Sequence, residues 1–491
     1  MSTFATSGNV SDANLNDVDA NFLSWLTDNG ASYDKLDFPA VHPTKGYRCA
    51  LIKPNMTIKP DEPMVSIPYE LMICAPNCLR DCADPLGITL HHLWQNKLLS
   101  GDPLLCMCIC REVTKGVDGH FWPYLDFMLQ SDPPSTIQRW SEEELVHLQS
   151  DQLLGRIQAR LTDERNMHSR AVRLVTDASK RAGVSEDEEA SIMGVLSQIG
   201  LPLYTWAWHI IQARAFGRRL PWSALVPMAD CLNHANVCVR YALSSVEGGG
   251  KVGAAYGSTM DPPVGGFFTL FPSADNTYGS GCEAFNSYGR RTNDHLMLDY
   301  GFCLEDNEWE RVPCRVSISS ADDDYKLRKR GLAENGYGSV RTLKLAREGF
   351  CSYGIIFFRV ANMTKEELES FEGRKDVCGA GVFSISNEIR ALSGLLRVMR
   401  ALNEQEWVTG VDEDVKTLEG QMGERERMGL VYRVERKKIV AANIQKLEEC
   451  FEFCCNVGER AAIERAAAGA GFGNPKYREY LEGLLKHIKK V

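Results

Sequence analysis

The sequence lacks any apolar run long enough to span a bilayer, so no membrane segment is expected. Its first twenty residues, MSTFATSGNVSDANLNDVDA, contain no Lys or Arg and no apolar core. That composition predicts neither a secretory signal nor an Arg-rich transit peptide, and it leaves open a precursor that has already lost one. An excess of basic charge is also missing: 55 Lys and Arg face 65 Asp and Glu, a formal net charge of -10. General nucleic-acid binding needs the opposite balance, although a local basic groove is compatible with this one. The 17 cysteines are plentiful but never fall into the paired C-x-x-C spacing of a structural zinc site. They read as reduced, buried thiols of a cytosolic-type protein, and no metal is expected. P-loop, dinucleotide-binding, H-E-x-x-H and G-x-S-x-G signatures are absent, and no internal period marks a repeat array.

What is present begins with size. A chain of 491 residues exceeds one ordinary core and predicts two or three domains. Residues 20–30 read as a short amphipathic helix closed by Asn29-Gly30, and 46–52 and 62–68 read as strands joined by a Pro-rich link. From 84 to 200 the pattern is helical. Ser141 with Glu144 forms a capping box, and the acidic run 185–189 marks a solvated helix start. Within that region Cys106, Cys108 and Cys110 alternate as one face of a strand would, while Cys74, Cys78 and Cys82 are spaced as on one helix face. An apolar helix over 203–217 carries Arg214. Strand-like segments follow at 224–229, 237–243, 266–272 and 282–289, with a Gly-rich loop at 248–266. Beyond 320 the pattern is helical again, with a long charged helix near 424–449.

Polar residues end several of these apolar segments, and such groups need a reason to be there. They are Asp230 and Asn233-His234 after LPWSALVPMAD, then Tyr288-Gly289 and Tyr300-Gly301-Phe302. Singly, each reads as a turn residue or a half-buried strand aromatic. Together and in order, Val226–His234, Asn286-Ser-Tyr-Gly289, Thr292-Asn293 and Tyr300–Phe302 resemble the SET domain of the Rubisco large-subunit methyltransferase class. FWPYLDFM (121–128) and WSEEEL (140–145) resemble its helical insert, and QARAFG (212–217) the helix before its Asn-His pair. Residues 387–406 and 432–440 resemble its helical substrate-binding domain.

The resemblance implies an α+β fold: a knotted β SET fold interrupted by a helical insert and followed by an all-α C-terminal domain. The expected boundaries are a disordered tail at 1–19, SET parts at 20–84 and 201–312, the insert at 85–200 and the substrate-binding domain at 313–491. It further implies S-adenosylmethionine as cofactor, a lysine-containing protein as substrate, a monomer, and a cytoplasmic location unless a lost transit peptide directs it elsewhere. Carried onto this sequence, Tyr288 becomes the catalytic tyrosine, with Tyr300 beside it lining the lysine channel. Arg214 meets the cofactor carboxylate. Asn233 takes its amine through the side-chain carbonyl, His234 contacts the adenine, and Phe302 packs near the adenosine. Lys45, Gly46 and Tyr47 form the cofactor loop. Phe216, Arg218, Asp230 and Tyr241 are substrate-side contacts.

Three departures from the class stand out. The segment Lys45-Gly46-Tyr47-Arg48-Cys49-Ala50 lacks the usual Gly-x-Gly. Cys282-Glu283 replaces a Gly-Glu-Glu start, and the Gly-rich loop at 248–266 is an insertion. The zinc site that follows the SET domain in histone-type enzymes is absent, since only Cys303 and Cys314 follow. One branch of the class methylates actin histidine and lacks the counterparts of Phe216 and Tyr300. Both residues are present here, which favours lysine, because a lysine channel is apolar and aromatic-walled whereas histidine needs a polar group to fix its tautomer. Histidine methylation and a non-catalytic interaction module are the alternatives.

Overall fold

The computed structural model describes residues 17–80, 82–131, 134–181, 185–217, 220–244, 265–272, 276–371, 381–405, 407–456, 460–469 and 474–488. Most of the Gly-rich loop at 248–266 and Arg218 lie outside these residues. The first helix described spans Asp17–Asp28 and buries Asp19, Phe22 and Leu26, so the end of the stretch expected to be a tail is helical. Buried Asp19 receives Arg48 as its ion-pair partner.

Nine short strands are described. They are β1 (Leu36–Val41), β2 (Arg48–Ile52), β3 (Val65–Pro68), β4 (Ile73–Cys74), β5 (Ala224–Leu225), β6 (Val239–Ser244), β7 (Phe267–Pro272), β8 (Arg311–Ser317) and β9 (Val340–Ala346). They form small separate sheets: β1 with β2, β3-β7-β6, β4 with β5, and β8 with β9. The two strands expected near 46–52 and 62–68 therefore do not pair with each other. β2 pairs antiparallel with β1, and β3 pairs with β7, some two hundred positions later in the chain.

The segment 282–289 is not a strand of any sheet. Its main chain is shared between two distant partners. Ile52 N donates to Cys282 O at 2.8 Å and Ala284 N to Ala50 O at 2.9 Å, whereas Asn286 N donates to Asn233 O at 2.8 Å. One extended segment thus ties β2 to the Asn-His turn, and this is the stitch that closes the site.

The insert is helical. Ser141 and Ser185 each cap a helix, in reciprocal pairs with Glu144 and Glu188. The alternating Cys106, Cys108 and Cys110 sit on helix Gly101–Lys115 and not on a strand. All three are fully buried, because this helix is covered on every side between Leu104 and Glu112. A helix buried all round shows no amphipathic period, so the spacing of its cysteines carries no information about strand geometry. Cys74 and Cys78 likewise share no helix face, since Cys74 ends β4 and Cys78 lies in the short helix Ala75–Leu79.

The C-terminal domain is helical around one β8–β9 ladder, which crosses the expected 312/313 boundary. Its core includes Val312, Leu343, Leu345, Leu392 and Leu395. Helix Glu424–Cys455 packs Met428, Val431 and Tyr432 with Ile137, Trp140 and Leu148 of the insert, and buries Ile439, Leu447 and Cys450 in the core of the domain. Arg433 on it reaches His147 O of the insert and is paired with Asp414. No helix among the described residues is long and apolar enough to cross a membrane.

Candidate active site

Helix Leu201–Arg214 begins at Gly200 with Pro202 in its first turn and ends when Ala215 turns extended. Phe216 and Ala224 then exchange main-chain bonds at 2.8 and 2.9 Å, which fixes the direction of the helix end. Arg214 thus sits in the last helical turn, where a cation is favoured. Its Nη1 donates to Asp230 O at 2.9 Å. Its Nε is buried and has no hydrogen-bond partner among the described residues. Burial opposes the guanidinium charge, but the Asp230 carboxyl beside it more than offsets this and keeps it protonated.

The chain after β5 makes a tight γ-turn. Ala229 N donates to Pro227 O at 2.9 Å, and Met228 between them adopts φ 69°. A buried methionine in that region stores backbone strain of about 1–3 kcal/mol, which the surrounding packing holds in place. The turn directs Asp230 inward. Asp230 is expected from the sequence to be a substrate-side contact. It is buried beneath Arg214 and accepts a hydrogen bond from the Tyr124 hydroxyl of the insert. Desolvation raises its carboxyl above the usual range, opposed by Arg214 and Tyr124. Its role is to hold Arg214 in place, since a buried carboxylate is tolerable only with such partners.

Asn233 spends both amide hydrogens on the protein. Nδ2 donates to Arg48 O at 3.0 Å and to Glu283 Oε1 at 2.8 Å. Its carbonyl oxygen therefore faces away from both, available as an acceptor. Glu283 also accepts from the Tyr47 hydroxyl at 2.7 Å, and His42 Nε2 lies 3.9 Å from it. Tyr47 packs its ring against His42 at 4.9 Å, and the Lys45 ammonium lies 5.8 Å from the Tyr47 ring. Gly46 has φ 72° and open space where a Cβ would project. The loop is thus anchored by side chains: Tyr47, Glu283 and Asn233 form one clamp.

Four aromatic rings stand beside this clamp. His234 stacks on Tyr288 at 5.0 Å and Tyr288 on Tyr300 at 4.6 Å, with interplanar angles of 18° and 22°. Phe302 closes the group, 5.9 Å from His234 and 6.2 Å from both tyrosines. His234 Nδ1 accepts from Tyr288 N at 3.1 Å, so the ring is a neutral acceptor there. Burial lowers its pKa to about 4. The Tyr288 hydroxyl donates to Leu232 O at 3.1 Å. Burial pushes this phenol well above its ordinary value, partly opposed by Arg214.

Tyr300 ends a π-helical turn, Leu296–Tyr300, and Gly301 follows at φ 77°. A Cβ on Gly301 would lie 2.5 Å from the Ser135 carbonyl carbon, so only glycine lets the insert press against Tyr300. Phe216 and Tyr241 belong to a second aromatic group. Their rings meet at 5.7 Å, and Phe268 lies 5.0 Å from Phe216 and 5.1 Å from Tyr241. One residue of extended chain, Ala215, joins this group to Arg214.

Of the residues named from sequence, Arg214, Asn233, His234, Tyr288, Tyr300 and Phe302 converge with Tyr47 and its loop, while Phe216 and Tyr241 form an adjoining wall. Glu283, Tyr124 and His42 went unrecognised. Glu283 left one local signal, a carboxylate at an otherwise apolar position of an extended segment.

Residues 319–440 match the family described as Rubisco LSMT substrate-binding. The chain has the fold of Rubisco LSMT. It superposes on the SET domain of LSMT bound to lysine and AdoHcy with a TM-score of 0.65, at 18% identity over 89% of this chain and 92% of that one. With Rubisco LSMT bound to AdoMet the TM-score is 0.63, at 17% identity over 90% and 93%. The actin-histidine N-methyltransferases of Homo sapiens and Papio anubis are each 21% identical over 495 residues, covering 97% of this chain and 74% of theirs. The α+β SET architecture with a helical insert and a helical C-terminal domain, expected from the sequence, is borne out.

Proposed function

We propose that the chain is an S-adenosylmethionine-dependent protein methyltransferase whose acceptor is the ε-amine of a lysine in a protein substrate. The observation that carries the reading is the set of unfilled polar groups around Tyr288: the buried Arg214 Nε and the Asn233 carbonyl. They match a carboxylate and an ammonium, the two charges of an amino-acid moiety. Arg214 would hold the cofactor carboxylate and Asn233 its amine. The main chain at His234 and the ring of Phe302 would flank the adenosine, with the Lys45–Tyr47 loop above. Bound there, S-adenosylmethionine supplies an electrophilic methyl group on a sulfonium.

The protein's own groups do the rest. Free lysine has a pKa near ~10.4, so presenting it neutral at pH 7 costs about 4–5 kcal/mol. A desolvated site supplies a shift of that order. The Tyr288 phenol remains neutral because burial holds its pKa high. A neutral hydroxyl orients an amine without trapping it as an ammonium, as a carboxylate would. The stack of Tyr288 and Tyr300 and the wall of Phe216, Tyr241 and Phe268 exclude water. Arg218 remains a proposed substrate contact.

The aromatic wall supports lysine. Histidine is the second reading, and the names of the relatives favour it. Incubation with methyl-labelled S-adenosylmethionine and a cell extract, followed by mass spectrometry, separates the two. Label on lysine is expected. Label on histidine overturns the acceptor, and failure to bind the cofactor in calorimetry at millimolar concentration overturns the enzyme.

A further inference from the structure

A groove of about 670 Å³ lies between the first turn of helix Asp151–Arg181 and the β8–β9 ladder, with Arg315, Arg341, Val340 and Leu402 among its lining. The ladder has two unlike faces. Val312, Cys314, Val316, Leu343 and Leu345 point into the domain core. Opposite them Arg315, Val340, Thr342 and Lys344 face solvent, brought together by the pairings Arg315–Thr342 and Ser317–Val340.

This face is basic in a chain of net charge -10. Four other arginines of the domain have acidic partners: Arg328 pairs with Asp322, Arg347 with Glu435, Arg359 with Glu388 and Arg390 with Glu367. Arg315 and Lys344 have no acidic partner among the described residues. Arg341 is held ready by the Tyr337 ring at 4.3 Å and the Tyr353 ring at 5.8 Å. Among the described residues lining the groove, Asp151 is the one acid. Val340 is 50% exposed, an aliphatic side chain with no cover.

The groove also communicates with the site. On the helix that opens it, Arg156 pairs with Asp294 and Arg160 with Asp299, the residue before Tyr300. From Asp151 to Arg160 the helix advances roughly 13 Å at about 1.5 Å per residue. An extended peptide needs at least about four residues to cover that span.

We propose that this groove docks an acidic, aliphatic segment of the protein acceptor, at least about four residues from the methylated side chain. The proposal rests on the methyltransferase reading, and it names the chemistry of the segment. Arg315 and Lys344 supply charge complementarity on the exposed face of the ladder, while Val340 and Leu402 supply apolar contact.

Fluorescence anisotropy of the full chain tests this with a fluorescein-labelled peptide alternating Glu and Val, against its Lys–Val counterpart and a labelled oligouridylate. The Glu–Val peptide binds, binding falls steeply with salt, and the Arg315→Glu, Lys344→Glu double variant weakens it by about tenfold. Val340→Asp weakens it as well, and melting temperatures verify that both variants fold. Equal binding in both variants, equal binding of the Lys–Val peptide, or tighter binding of the oligouridylate overturns the proposal. Calorimetry with S-adenosylmethionine is run on the same samples. Loss of cofactor binding in the wild type defeats the enzyme reading, while the anisotropy result decides the groove by itself.

Discussion

At one end of the site Tyr47, Glu283 and Asn233, from three distant segments, hold one another by hydrogen bonds. At the other end His234, Tyr288, Tyr300 and Phe302 stack as rings. The clamp is polar and buried, so each member is costly without its partner: removing one leaves an unsatisfied group worth about 1–3 kcal/mol. The column is mostly apolar contact, which tolerates small changes, except at the Tyr288 hydroxyl, which in the proposed function orients the acceptor amine. The clamp should therefore govern cofactor affinity, and the column should govern rate.

The sharpest way to break that division is Tyr288→Phe. It preserves the stack and deletes the hydroxyl that donates to Leu232 O. Methyl transfer should fall by roughly 10²–10³-fold while calorimetric cofactor affinity stays put. Full activity would move the role to Tyr300.

The next effect is one of stability. His234 has a folded pKa of about 4 against about 6.5 unfolded, so its neutral form belongs to the native state. A depressed pKa contributes stability above pH 6.5 that is lost as pH falls toward 4. The loss should approach about 3 kcal/mol, seen as a falling denaturation midpoint that flattens in His234→Asn. A midpoint insensitive to pH across that window would put the ring in water.

A smaller change is expected at the clamp. Glu283→Ala strands both the Tyr47 hydroxyl and the Asn233 amide and should weaken cofactor binding by about 2 kcal/mol, with kcat at saturation nearly intact. Asn233→Ala should act on the same parameter. A variant that lowers kcat and leaves affinity alone would erase the distinction between clamp and column. Smallest is Tyr47→Phe, about 1 kcal/mol in cofactor affinity by calorimetry.

The two regions also differ in how far they could be read in advance. Arg214, Asn233, Tyr288 and Tyr300 stand out because polar and aromatic groups end apolar segments, and the capping boxes at Ser141 and Ser185 are local patterns of four residues. Glu283 could not be read that way, because its partner Tyr47 lies 236 positions away. Asp230 reads in sequence as a substrate-side contact, and the residue it meets, Tyr124, belongs to the insert, 106 positions earlier. The β8–β9 ladder was missed within a helical stretch, and the helix at Cys106–Cys110, inside a region read as helical, carries a strand-like alternation of cysteines, since burial on all sides removes the period that tells helix from strand.

What the sequence by itself determined is therefore the inventory: helices with their caps, short strands, and an ordered set of Asn, His, Tyr and Arg at segment ends. These follow from near-neighbour rules of propensity, capping and periodicity. The tertiary structure alone decided which buried polar group satisfies which: that Glu283 anchors the loop at Lys45–Tyr47, and that Asp230 supports Arg214 from below. A buried hydrogen bond takes its energy from a specific partner and from the exclusion of water, and chain folding brings both to a residue from far along the sequence.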